Sequence, residues 1–518
     1  MEPVPNIRIV LVYLPIVCVC FFISSCRSEA LISSEEILPD PTEISTNQTE
    51  NTGNRDLEPT KTIKLYHEDQ FSSATPNNTA PRMSEDSSKQ RFPVTGVEIY
   101  ALQEKTGIEL VHESGANWVR NNGLIWPKIE PNEGDRNWKA VEELETGLVN
   151  AAENGLQVIL VVFGTPEWAV KSPGNSCGAV RPDKLGAYAD FLHDAVLRYS
   201  APPFNVKFWE LGNEPDIDPS LVTPDWRFGC WGEAGEAFYG GEYYADMLRA
   251  VYPQIKKADG DAQVLVGGLL LDCDPMNPPL VSADTGETKD CTPSLFLEGI
   301  LKNGGGEYFD GVSFHAYDYY RGLDKYENYN WSSKSDLNGP VLSKKTDFIR
   351  DVLAEYGYEE KPIFNTESGL LCGKHGQEPE CLTNEFELTK ANYAVKANTT
   401  AYAISLESYI WYSLLGWRGS GLASETFEPF PVYYALTYNI SRLEGSAFIG
   451  ELEDYPGVKG YQFEQNGRLF WIVWSQDGSN HTIQLTEEPS VIFGVYGSEL
   501  PLTKNLVVNQ SPVYVEWR

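Results

Sequence analysis

Between about residues 94 and 445, short apolar runs alternate with segments in which apolar residues return every three or four positions. The runs are Val97–Tyr100, Trp118–Arg120, Val158–Phe163, Val206–Trp209, Val264–Val266, Val312–Phe314, Ile363–Phe364 and Tyr409–Tyr412. They are β-rich and short, as strands buried on both faces should be. Leu185, Tyr188, Ala189, Leu192 and Val196 share one helical face, as do Phe348, Ile349, Val352, Leu353 and Tyr356. Eight strand–helix units predict an α/β chain whose parallel sheet closes into a (β/α)8 barrel over residues 92–445. A doubly wound open sheet is the competing arrangement, but no Gly-rich phosphate loop follows the first strand.

After Gly445 the pattern changes. Gly460–Phe463, Leu469–Trp474, Val491–Val495 and Val513–Trp517 read as strands separated by turns such as Gln465–Asn466–Gly467. Residues 446–518 are therefore expected to form a small all-β module, a β-sandwich, with Trp471 and Trp474 in its core. At the other end, residues 27–91 are rich in Ser, Thr, Asn, Pro and Glu and carry too few apolar residues to offset chain entropy. They read as a disordered tether.

Residues 1–26 read as a targeting segment: Arg8, then the uncharged apolar run Ile9–Phe22, then Ile23–Ser24–Ser25–Cys26. The last four residues resemble the lipobox of bacterial lipoproteins, which implies a signal peptide and acylation at Cys26. The alternative is an N-terminal transmembrane anchor, since the apolar stretch lies at the short limit for a span. Both place the rest of the chain outside the cytoplasm, at the bacterial cell surface or in the periplasm.

Charge narrows the choice of partner. The 518 residues hold 40 Lys and Arg against 74 Asp and Glu, a net of −34, which excludes nucleic acid as a partner and favours a neutral one. The tether holds 7 basic and 12 acidic residues, so most of the excess lies in the folded part. Of nine Cys, Cys18, Cys20 and Cys26 belong to the targeting segment, leaving six. An even number in an oxidising compartment suggests three disulfides, and proximity favours Cys273–Cys291, Cys372–Cys381 and Cys177–Cys230. With six His and no C-x-x-C pair, neither a metal site nor a cofactor is expected.

The chemistry sits at the ends of the fourth and seventh strands, on the face where barrels of this kind carry their active sites. The fourth opens into Gly212–Asn213–Glu214–Pro215, and the seventh into Asn365–Thr366–Glu367–Ser368. Two carboxylates over one barrel mouth suit glycosidic bond cleavage. Glu210, also on the fourth strand, is expected to face the barrel interior, and Asp216 to cap a loop.

Asn213–Glu214–Pro215 together with Glu367 resembles the clan A glycoside hydrolases, and the appended β-module is similar to that of families 39, 30 and 5. The resemblance covers about residues 94–445 and implies a TIM-barrel retaining glycosidase acting on neutral carbohydrate. It implies Glu214 as general acid/base and Glu367 as nucleophile, with Asn213 on the sugar 2-hydroxyl. Arg120 and Tyr317 would hold the nucleophile, His315 would shape the same wall, and Trp411 would floor the cleavage subsite in preference to Trp417. Trp168, after the third strand, would line a subsite or pack the rim. A barrel that binds glycan without turnover, or a transglycosylase, would share these features.

Overall fold

The computed structural model describes residues 94–173, 178–218, 229–233, 235–277, 290–320, 331 and 337–517. The targeting segment with Cys26, the tether, and Cys177 lie outside them. Eight parallel strands close a barrel: β1 (Thr95–Glu98), β2 (Trp118–Ile125), β3 (Gln157–Phe163), β4 (Phe208–Asn213), β5 (Gln263–Leu269), β6 (Gly311–Tyr319), β7 (Ile363–Leu371) and β8 (Ser408–Trp411). Closure is made by β1 on β8, with Gly96 opposite Ile410 and Val97 opposite Trp411. Every predicted barrel strand overlaps an observed one.

Strand alternation sorts the side chains into layers. Trp118, Ile159, Leu265, Phe364 and Ile410 fill the barrel interior, with Phe208 against them. Gly96 belongs to this layer because a Cβ there would lie 2.5 Å from both Ile410 and Trp118. Two residues further along β1, β2 and β4 stand Glu98, Arg120 and Glu210, again inside and all at 0 % exposure. A charged layer thus rests directly on an apolar plug. The intervening Val97, Val119, Trp209 and Trp411 point outward into the core shared with the helices.

The helices cover the barrel with their periodic faces. In Leu185–Tyr199 the buried residues are Tyr188, Ala189, Phe191, Leu192, Ala195, Val196 and Tyr199, and Pro340–Glu355 buries Phe348, Ile349, Val352 and Leu353. Among the described residues, no helix is long and apolar enough to cross a membrane.

The C-terminal region is antiparallel β. Its strands are β9 (Ala447–Glu451), β10 (Val458–Gln465), β11 (Arg468–Ser475), β12 (His481–Gln484), β13 (Val491–Phe493), β14 (Asn505–Val508) and β15 (Val513–Glu516). Five form one sheet in the order β13-β15-β11-β10-β9, and β12 pairs with β14 in a second. Asn466 and Gly467 turn the β10–β11 hairpin with positive φ of 53° and 76°, which the left-handed region allows Asn and Gly most readily. Trp474 is fully buried and Trp471 packs edge-on against Trp517, so both tryptophans belong to the core of the region.

Cys273–Cys291 and Cys372–Cys381 are disulfides with Cα atoms 5.5 and 5.6 Å apart. Cys230 is disulfide-bonded as well. The expected pairing with Cys177 lies outside the described residues.

Candidate active site

Arg120 organises the mouth of the barrel. Its Nη1 donates to Glu98 Oε2 and to Glu367 Oε1, each at 2.6 Å. Its Nε and Nη2 donate to the two oxygens of Glu210 at 2.7 and 3.3 Å, and Nη2 also reaches Asn213 Oδ1 at 2.7 Å. Glu210 accepts further hydrogen bonds from Ser313 and Thr366. It is therefore the inward-facing structural group that strand parity predicts.

Glu367 sits on β7 within a register irregularity between Asn365 and Ser368. Besides Arg120, it accepts from the Tyr317 hydroxyl at 2.5 Å, and His315 Nδ1 lies 3.4 Å away. The guanidinium on one oxygen and the phenol on the other fix its orientation.

Glu214 leaves β4 through a kink. Gly212 has φ +92° and Glu214 itself +48°, an uncommon value for a side chain larger than glycine that turns consecutive residues Asn213 and Glu214 toward one mouth. The Glu214 amide donates to the Gly268 carbonyl at 2.9 Å, which holds the kink. His315 Nδ1 is 2.9 Å from Glu214 Oε1. Burial pushes the Glu214 carboxyl up to about 7 against the opposing pull of Lys345 and Arg120. The carboxylate that adds to the rise is Asp272. One oxygen of each glutamate and a ring nitrogen of His315 lie within 4.8 Å of one another.

His315 is fully buried, and that burial lowers it to about 4. Room for its ring comes from Gly268 on β5: a Cβ there would overlap His315 Nε2 and stand 2.6 Å from Glu210 Oε1. Behind β6, Lys345 Nζ donates to the main-chain carbonyls of Leu270 and His315 at 2.6 and 2.9 Å. Asp216 accepts from the amides of Leu270 and Leu271, both at 2.8 Å, so it caps the loop after β5.

One aromatic expectation changes. Trp411 is 0 % exposed and donates from Nε1 to the Ser420 carbonyl, so it offers no face to a sugar. The reason is parity: Ile410 points into the barrel, so Trp411 must point out. The next residue, Tyr412, turns inward again and meets Tyr317 edge-on, with ring centroids 5.9 Å apart. Trp417 is 49 % exposed, with its ring edge-on to Tyr317 at 6.3 Å and to Tyr412 at 6.1 Å. Trp168 packs the rim, donating to the Glu130 carbonyl at 3.0 Å and meeting Trp126 edge-on. Sequence reasoning missed Glu98, Lys345, Tyr100 and Tyr412; a charged residue inside the apolar run of β1 was the available signal for the first.

Comparison with known proteins agrees with this geometry. The family described as Cellulase (glycosyl hydrolase family 5) matches residues 85–405. No curated protein matches the chain. Among solved structures, a family 39 glycoside hydrolase from Bacteroides cellulosilyticus WH2 is similar, with TM-score 0.60 and 18 % identity over 83 % of this chain and 81 % of that one. A conserved exported protein from Bacteroides fragilis gives 0.56 at 12 % identity, covering 82 % and 98 %. A family 30 subfamily 8 xylanase from Clostridium acetobutylicum gives 0.52 at 15 % identity, covering 82 % and 96 %. At these identities the structures speak for the fold, and the family match speaks for the chemistry: the chain belongs to glycosyl hydrolase family 5 and is a glycosidase.

Proposed function

We propose that the protein hydrolyses O-glycosidic bonds, β-linked, in neutral oligo- or polysaccharides by double displacement with retention of configuration. The observation that carries this is the close approach of two carboxyl groups, one of them raised by burial. One oxygen of Glu214 lies within 4.8 Å of one oxygen of Glu367, a close approach compatible with the spacing of about 5–5.5 Å between carboxyl groups that suits retention. Glu214, raised to about 7, keeps a proton for the leaving oxygen. Glu367, on the guanidinium of Arg120, attacks the anomeric carbon. Water then enters with Glu214 as its base, which needs the same residue to give and take a proton near neutrality. Asn213, anchored by Arg120, is available to the sugar 2-hydroxyl. The acidity of the chain, net −34, suits an uncharged glycan.

Proton NMR of the first sugar released from an aryl β-glycoside tests the reading. The β-anomer is expected first, and the α-anomer would overturn it. Binding without turnover would favour the glycan-binding alternative, and transfer to added sugar in place of water the transglycosylase.

We further propose that the enzyme is exported and tethered through a lipid on Cys26. Incorporation of a palmitate analogue into the full chain, lost in Cys26→Ala, is the expected result; retention of label would refute it.

A further inference from the structure

A single guanidinium serves three carboxyl groups at the base of the site. Arg120 is hydrogen-bonded to Glu98, Glu210 and Glu367, and among the described residues no other Lys or Arg pairs with any of them. Glu98, Arg120 and Glu210 are closed to solvent, and Glu367 is 7 % exposed. Three carboxylates around one cation would leave a charge of minus two in a dry space, which is strongly unfavourable unless a proton is retained.

Hydrogen-bond counting says where that proton sits. Glu210 accepts from Arg120 Nε and Nη2, from Ser313 and from Thr366. Glu367 accepts from Arg120 and Tyr317. Glu98 accepts from Arg120 alone, on Oε2, while its Oε1 is buried without a partner. The carboxyl with least support for a negative charge is the one that keeps the proton.

We propose that Glu98 is a proton-holding positioning residue, a neutral carboxylic acid on the same Arg120 nitrogen as Glu367, so that the guanidinium's charge serves Glu367. The groups facing Glu98 are Arg120 from β2, Glu210 from β4, Tyr317 from β6, Glu367 from β7, and Tyr100 and Tyr412 from the segments after β1 and β8. Burial, ahead of the opposing pull of Arg120, carries Glu98 up to about 8. Once ionised, Glu98 competes with Glu367 for Nη1, and the nucleophile loses its fixed orientation. The location of the proton stands by itself. Its consequence for Glu367 rests on the nucleophile role proposed above.

The test has two arms, both on the full chain. The first is an infrared difference spectrum of wild type minus Glu98→Gln at pH 7. Loss of a protonated-carboxyl band is expected, and loss of carboxylate bands in its place would overturn the proposal. The second follows kcat/KM against pH on a dinitrophenyl β-glycoside, whose leaving group needs no proton from Glu214. Wild type should fall near pH 8, and Glu98→Gln should move that fall up by at least one pH unit. An identical alkaline limb in both proteins, or none in wild type, would overturn the competition for Arg120. Glu98→Met, also neutral and of similar length, repeats both arms if the Gln variant fails to fold. Failure of the nucleophile reading has its own signature, a wild-type enzyme that never forms a covalent glycosyl adduct at Glu367, and leaves the infrared band unchanged.

Discussion

His315 Nδ1 lies 2.9 Å from Glu214 Oε1, and the fully buried ring stays neutral because burial lowers it to about 4. A cationic imidazole at that distance would hold Glu214 ionised and remove its proton. His315→Asn is expected to lower kcat/KM on poor leaving groups by about 10²-fold, the lower end of general-acid contributions, with a much smaller loss on dinitrophenyl glycosides. The unfolded ring titrates near 6.5 and the folded one near 4, so its stabilising effect is present above 6.5 and is lost as pH falls through 4. Melting temperatures of the wild type should drop across that window more steeply than those of His315→Asn.

The two glutamates should separate kinetically. Glu214→Ala is expected to cost about 10²–10⁴-fold on poor leaving groups, far less on activated ones, and to be rescued by azide with release of a β-glycosyl azide. Glu367→Ala should abolish turnover of both substrates. Steady-state kinetics with a matched pair of aryl glycosides check this, and equal losses for both variants on both substrates would contradict the assigned roles.

Lys345 is buried behind β6 with Asp216, Asp272, Glu214 and Asp318 as its charged neighbours, and burial lowers it to about 8. Its charge pulls Glu214 down. Lys345→Met should therefore move the alkaline limb of kcat/KM on poor leaving groups, set by Glu214 near 7, to higher pH. A limb that stays in place would mean that Lys345 only ties the Leu270 and His315 carbonyls together.

At the mouth, Trp417→Ala is expected to raise KM about tenfold, a loss of roughly 1.4 kcal/mol of binding, with a melting temperature near that of wild type. Trp411→Ala should behave in the opposite way, as a core truncation costing about 3–5 kcal/mol of stability. Thermal melts beside Michaelis–Menten curves distinguish them.

Glu214, His315 and Glu367 present ligand atoms at metal-binding separations, yet Arg120 already lies 2.6 Å from Glu367 and would repel a divalent ion. Dialysis against EDTA should leave the rate unchanged, while excess Zn²⁺ should inhibit by occupying the three groups.

The barrel was legible because parallel strands buried on both faces are written as unbroken apolar runs, as in Val158–Phe163. In the β-region, β9, β12 and β14 escaped notice, and half or more of the residues in each are exposed. Glu214 and Glu367 could be found from their places after strands four and seven. Trp411 was misjudged by one residue, because which way a four-residue strand faces is fixed by its register against β1 and β7, not by its own sequence. Glu98 and Lys345 were hidden for a related reason: their partners are 22 or more residues away in the chain, at Arg120, Leu270 and His315.

Gly268 takes no part in bond breaking, yet the absence of a side chain there makes space for His315 on one side and Glu210 on the other. Added bulk at this position would disturb the proton donor's partner and the arginine cage together, a double fault from one silent-looking codon change. Gly268→Ala is therefore expected to keep both glutamates and yet hold sugar while leaving it whole.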